Sequence, residues 1–446
     1  MPTVFFQEPE ETELEAAQRK VVELEAELGP EHLDLVGPLE AVLMIHYGQA
    51  QYGKAEEVCR HVLSIREKSL GPDHPDVASS LNNLAFLLEN LGSYAEARPF
   101  YERSLVIREK ALGPEHLDVA LALNNLATLL QAQSFYAEAR PLYERALVIW
   151  EKALGFEHPN VATTLNNLAQ LLQAQGSYAE ARALHERALK IREKALGPEH
   201  PDVATTLSNL GLLLRTQGSY AEARPLLERA LAIEEKFRGP EHPSVAISLN
   251  NLAFLLRTQG SYAEARPLYE RSLAIFEKAL GPEHPNVANS LNNLAELFCT
   301  QGSYAEARAL HERALKIWEK ALGPEHPDVA TSLNNLAQLL RTQGSYAEAR
   351  PLYERGLVIW KKALGPEHPD VALALNNFAL LLRTQGSYAE ARPLYEQGLR
   401  STLNHLSLNM GSMTEAERFQ YLATKEGSEP LLLNLVAMRG EGPDKD

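Results

Sequence analysis

The tetrad Gly-Pro-Glu-His, or a near variant, begins at Gly29, Gly71, Gly113, Gly155, Gly197, Gly239, Gly281, Gly323 and Gly365, a spacing of 42 residues with no insertion. A fixed period of this length constrains the fold more than any local propensity. It marks one supersecondary unit written repeatedly, each copy unable to bury its apolar face except against its neighbours. A chain of 446 residues would otherwise suggest about three domains of about 150 residues, and the register replaces that expectation with one continuous array.

Within a unit the apolar residues follow helical spacing. In the stretch LNNLAQLLRTQGSYAEAR, Leu333, Leu336, Ala337 and Leu340 fall at i, i+3, i+4 and i+7, the stripe of a first helix, A. Gly344 stops it, and Ser345-Tyr346-Ala347-Glu348 predicts a capping box, serine hydroxyl and glutamate each satisfying a backbone N–H at the start of helix B. Along B, Tyr346, Ala349, Tyr353 and Leu357 keep to one stripe until Ala363-Leu364-Gly365 and Pro366 end it. The small residues Ala337 and Ala349 permit close helix approach. The string Glu-His-Pro-Asp reads as the start of the next A helix, with proline in the first turn and aspartate near the positive end of the dipole.

Several functions are excluded at this level. With 43 Lys and Arg against 59 Asp and Glu the formal charge is −16, which argues against a polyphosphate partner, so no nucleic acid is expected. Cys59 and Cys299 are the only cysteines, so there is no disulfide framework and no zinc-thiolate set, which fits a cytoplasmic protein. The N-terminus MPTVFFQEPEETELE is acidic where a signal peptide is basic, and no apolar run reaches the roughly 20 residues that span a bilayer, so no membrane is expected. The histidines at 32, 74, 116, 158, 200, 242, 284, 326 and 368 recur in successive loops roughly 10 Å apart, whereas zinc needs ligand nitrogens about 2.0–2.1 Å from one ion. No metal or cofactor is expected. The sequence holds no H-E-x-x-H, phosphate-cradling glycine loop or nucleophile elbow, and a lone Cys299 reads as a small filler. The chain is expected to have no catalytic residues and not to be an enzyme.

Taken together, Leu336, Ala337, Leu340, Tyr346, Ala349, Tyr353 and Gly356 resemble the signature of the tetratricopeptide repeat. The 42-residue length and the wording LNNLA…A-x-x-x-Y-E-R-A-L-x-I…GPEHPDVA are similar to the long-helix subclass of kinesin light chains and bacterial repeat proteins. The resemblance implies an all-α, right-handed α-solenoid (a superhelix) of antiparallel helix pairs. Its expected divisions are an N-terminal capping helix at 1–28, nine tandem repeats at 29–406, and C-terminal capping helices with a polar tail at 407–446. The N-terminal helix, about Pro9 to Leu28, carries Leu14, Val21, Leu24 and Leu28, two heptads at most, too few for the coiled coil that joins kinesin light chains to their motor. The tail, with a cap read at Thr414 and Glu417, resembles weakly the segment leading to a caspase-like CHAT protease in bacterial proteins.

Opposite the packed stripe of helix A the resemblance implies a concave groove that takes up peptides. The second asparagine of the motif sits there in every copy: Asn83, Asn125, Asn167, Asn209, Asn251, Asn293, Asn335 and Asn377. Around it the positions vary: Leu121, Ile247 or Leu373 one turn before, and Phe86, Gln170, Leu212, Phe254 or Glu296 just after. An amide offers donor and acceptor, as a peptide backbone requires, and helices about 8–10 Å apart meet about every third residue of a strand advancing about 3.3 Å per residue. The same residues also read as a structural ladder, amide to amide between repeats. Arg215, Arg257, Arg341 and Arg383 stand at the groove shoulder, where earlier copies have Glu89, Gln131 and Gln173. They suit an acidic ligand, or pair with a glutamate of the adjacent helix. Three functions follow: a non-enzymatic scaffold for an extended, acidic protein or peptide segment; a regulatory sensor arm of a bacterial caspase-like protease; and a purely architectural spacer. The sequence does not set the oligomeric state.

Overall fold

The computed structural model describes residues 12–410. Its packing divides the chain into two compact units, Met1–Pro114 and Glu115–Asp446. The first contains α1 (Glu13–Leu28), a 3-10 turn at Leu33–Leu35, and the hairpins α2 (Val36–Gly48) with α3 (Tyr52–Leu70) and α4 (Pro75–Asn90) with α5 (Tyr94–Leu112). The second contains seven hairpins: α6 (Leu117–Ala132) with α7 (Tyr136–Leu154), α8 (Pro159–Ala174) with α9 (Tyr178–Leu196), α10 (Pro201–Thr216) with α11 (Tyr220–Arg238), α12 (Pro243–Thr258) with α13 (Tyr262–Leu280), α14 (Pro285–Thr300) with α15 (Tyr304–Leu322), α16 (Pro327–Thr342) with α17 (Tyr346–Leu364), and α18 (Pro369–Thr384) with α19 (Tyr388–Met410). Every described element is helical. The start of the N-terminal helix at Pro9 and the tail cap at Thr414 lie outside the described residues.

Histidine begins each first helix from α4 onward. His242 has extended backbone (φ −78°, ψ 143°) and its Nδ1 accepts the Ser244 N–H at 3.1 Å, with Pro243 at the first helical position, where its missing N–H costs nothing. The second helices begin differently from the capping box read in the sequence. Ser345 at the head of α17 has ψ 56° and makes no side-chain cap bond. The turn before it is too tight: Gly344 takes φ 78°, and the Ser345 N–H returns to the Leu340 carbonyl at 2.9 Å while the Ala349 N–H goes to the Ser345 carbonyl at 3.1 Å. Backbone thus does what the hydroxyl was expected to do. Glu348 accepts instead from Arg308 of the preceding repeat at 2.8 Å.

In the second unit each B helix packs on the A helix that follows, and A helices also touch their counterparts one repeat away, as α8 does α10 and α10 does α12. That close approach puts the A helices on the inner side of the bend. The predicted stripe is the packed one: Leu333, Leu336, Ala337 and Leu340 are buried, as are Ala349 and Tyr353 facing them, each large side chain contributing about 1.5–3 kcal/mol. Exposed ion pairs repeat with the period, among them Lys320–Glu283 at 2.9 Å and Arg313–Glu277 at 2.6 Å, each worth about 0–1 kcal/mol. In the first unit, α1 lays Leu14, Val21 and Leu24 against Leu35, Leu39 and Val62. No described helix is long and apolar enough to cross a membrane.

Candidate functional site

The inner face carries the amides. Asn83, in the first unit, is exposed; Asn125, Asn167, Asn209, Asn251, Asn293, Asn335 and Asn377, in the second, are half-buried. They are neither sealed in the core nor on the outer wall, because they lie across the helix from the buried leucines.

The first asparagine of each pair, which drew no attention in the sequence, decides what the second can do. Asn124 Oδ1 accepts from Asn167 Nδ2 at 3.1 Å, and Asn334 Oδ1 from Asn377 Nδ2 at 3.1 Å. There the ladder exists. Elsewhere the first residue is occupied or missing. His185 replaces the usual tyrosine and its Nδ1 donates to Asn166 Oδ1 at 2.8 Å, while Asn166 Nδ2 reaches Thr206 at 3.0 Å. His311 does the same to Asn292 at 2.7 Å. Asn250 turns its amide to Ser290 at 3.0 Å, and Ser208 stands in the remaining copy. The amides of Asn209, Asn251, Asn293 and Asn335, four successive repeats, consequently make no hydrogen bond with the described residues. The only signal for this in the sequence is the exchange of tyrosine for histidine at 185 and 311 and of asparagine for serine at 208.

The four arginines also separate. Arg257, Arg341 and Arg383 stand beside the phenols of Tyr269, Tyr353 and Tyr395 on their own B helices; burial raises all three phenols, Tyr269 to about 12, and the arginines oppose it. Glu89 and Gln131 hold the same post, accepting from Tyr101 and Tyr143 at 3.1 Å. The glutamate partner read from the sequence occurs at Arg257, whose Nη1 lies 3.9 Å from Glu296. Arg215 has no phenol on its own helix pair because Leu227 takes that place. Its guanidinium lies 3.9 Å over the Phe254 ring, with Arg257 at 5.2 Å from the same ring, and its Nε is buried without a partner. Burial, then Arg257, lowers its pKa. No carboxylate among the described residues matches it. Next to it an open cavity of 430 Å³ is lined by Gln170, Gln173, Asn209, Leu212 and Thr216.

A sequence model of the tetratricopeptide repeat matches this chain at 42–110, 76–134, 118–194, 161–236, 202–278, 244–310, 291–357 and 340–403. The chain belongs to the tetratricopeptide-repeat family. Among solved structures, a putative kinesin light chain of Podosopora anserina with nearly identical TPR-like repeats is 32% identical over 46% of this chain and 97% of its own, at a TM-score of 0.40. BtubC (BKLC) from P. vanneervenii is 24% identical over 52% of this chain and 90% of its own, at 0.40. A Rap protein complexed with competence and sporulation factor is 15% identical over 82% and 98%, at 0.49. No curated protein matches.

Tetratricopeptide repeats build protein–protein interaction scaffolds, and the departures of this chain from its own repeat show where such a surface has been altered. Cys299 takes the arginine post opposite His311, and its thiol is pushed up to about 11 by burial and by Glu296. It is therefore held as a thiol, not a thiolate. Among the described residues no three His, Cys, Asp or Glu side chains gather as metal ligands.

Proposed function

We propose that this chain is a non-enzymatic scaffold that holds an extended, acidic peptide along the inner face of residues 115–410. The observation that carries the reading is the run of four unpaired amides, Asn209 to Asn335, beside the unmatched guanidinium of Arg215. A peptide backbone supplies one donor and one acceptor to each amide, and a ligand carboxylate supplies the charge that Arg215 lacks. Each hydrogen bond nets about 0.5–1.5 kcal/mol against an association cost of about 4–15 kcal/mol, so affinity rests mainly on pockets such as the one between Gln170 and Leu212.

An architectural role is supported at the flanks of the run, where Asn167 and Asn377 bond to the preceding repeat. The two roles occupy different repeats. A peptide library displayed to the wild type, to an Asn251→Ala/Asn293→Ala/Asn335→Ala variant and to Arg215→Gln tests the proposal. The triple variant should lose at least tenfold in affinity for every captured peptide, and Arg215→Gln should lose selectively the acidic ones. Unchanged capture by the triple variant would refute the amide clamp.

A further inference from the structure

In the second unit two places far apart in sequence meet, at three departures from the repeat. The turn between α6 and α7 reads Gln133-Ser134-Phe135 where other copies read Gln-Gly-Ser. Ser134 nevertheless adopts the left-handed conformation of the glycine it replaces, φ 62°, a region where a side chain is strained. At the other end, Ser407-Leu408-Asn409-Met410 replaces Gly-Pro-Glu-His, so α19 continues through the point where its predecessors stop.

These departures bond to one another. His368 accepts the Asp370 N–H on Nδ1 at 3.2 Å, which leaves its Nε2–H to donate to Ser134 Oγ at 3.1 Å. Ser134 Oγ also lies 3.1 Å from the Tyr136 hydroxyl. Asn409 donates to the Ser134 carbonyl at 3.1 Å and accepts the Ala137 N–H at 3.3 Å. His405 meets the Tyr136 ring edge-on, centroids 6.0 Å apart. Ser134, Tyr136, His368, His405 and Asn409 are all nine-tenths or more buried. A buried polar group costs free energy unless it is paired, so this network favours the docked arrangement specifically. Ser134, at the far end of an A helix, and His368, at the near end of another, are opposite edges of the same ribbon of hairpins, five repeats apart.

We propose that this network is a latch, fastening one edge of the coil of residues 115–410 to the other after a full circuit, so that access to the inner face is governed by its opening. The inference is independent of any ligand.

Its test uses a probe in the native chain. Cys299 stands half-exposed on the inner side, whereas Cys59 is 1% exposed. Labelling at Cys299 by a 5-kDa polyethylene-glycol maleimide, about that mass by choice of reagent, and by N-ethylmaleimide is followed in the wild type, in Asn409→Ala and in Ser134→Gly, the last restoring the residue of neighbouring repeats and thus sure to be accommodated. Hydrogen exchange at Ala137 is read in the same proteins, with Ala221, its unlatched counterpart, as internal reference. The latch requires that Ala137 exchange at least tenfold more slowly than Ala221 in the wild type, that Asn409→Ala abolish the difference, and that both variants accelerate the bulky label several-fold with little change in the small one. Equal exchange at the two alanines in the wild type, or a bulky-label rate unmoved by both substitutions, would overturn it.

Discussion

Gly211 and Leu227 are exceptions that explain each other. Seven of the repeats place alanine at the first position against tyrosine or histidine at the second; here the larger branching of leucine close to the backbone leaves no room, and a Cβ on Gly211 would lie 2.8 Å from Leu227 Cγ and Cδ2. Gly211→Ala alone should therefore lower stability by about 1 kcal/mol, overpacking outweighing the helix propensity gained. Adding Leu227→Tyr should recover it, a coupling of about 1–2 kcal/mol in a denaturation cycle. The double variant also gives Arg215 the phenol its counterparts have, so anion selectivity should fall although stability does not; additivity of the two substitutions would show that the sites are not coupled. The buried histidines make a second residue-scale prediction. Burial pushes His185 and His311 down to about 4, below the 6.5 of an unfolded imidazole, so protons bind the unfolded chain more readily. Their contribution is whole above pH 6.5 and is lost as pH falls toward 4, on the order of 2–3 kcal/mol for each. His185→Tyr places a phenol opposite Gln173, as Tyr143 is opposite Gln131, and should remove about half of the loss of melting temperature between pH 7 and 4.5. An unchanged acid profile would mean that the imidazole is hydrated.

Among elements, the helices themselves were plain in the sequence. Glycine and proline punctuate them every 42 residues, and the leucine stripe that starts at Leu333 has only one helical face on which to lie. Their caps were less plain, because a serine three residues before a glutamate describes two geometries that differ only in ψ. The structure assigns the capping work to histidine. His242→Ala should therefore cost about 0.5–2 kcal/mol, the usual value for losing a side-chain cap, while Ser261→Ala, at the head of α13 where no side-chain cap bond forms, should cost less than about 0.5 kcal/mol. Chemical denaturation of the two variants decides it, and a larger loss for serine would restore the capping box. The candidate site was legible to the same depth. Helical periodicity placed the second asparagines on the free face correctly, but which of them is bonded depends on the first asparagine and on a histidine 19 residues away, an alignment across a hairpin that periodicity does not convey. Arginine at the groove shoulder was visible as charge, whereas its partner, tyrosine or leucine 12 residues on, was read only as core.

At the scale of the second unit, a stack of hairpins has stability close to a sum of repeats and nearest-neighbour interfaces, and such arrays lose cooperativity as they lengthen because an end can fray without disturbing the middle. The bonds between Ser134 and His368 and between Ser134 and Asn409 join residues 234 and 275 apart. Nothing in a 42-residue period announces such a contact; it appears in the sequence only as places where the period is broken, Ser134 for glycine and Asn409 for glutamate. Its thermodynamic consequence differs from that of an ordinary interface. Fraying α19 would release the network and leave the buried polar groups around Ser134 unpaired, so the end repeat is tied to the third hairpin from the chain start of the array and not merely to its neighbour. The bonds removed by Asn409→Ala are few, at about 0.5–1.5 kcal/mol each, and the shift in the urea midpoint should be correspondingly modest. The slope should change more: with the end free to melt separately, the apparent m-value of the unfolding transition falls and fluorescence and circular dichroism midpoints separate. Ser134→Gly should lie between, since relief of the left-handed strain offsets the lost hydroxyl. Coincident transitions with an unaltered slope in Asn409→Ala would mean that nearest-neighbour interfaces alone hold the array together.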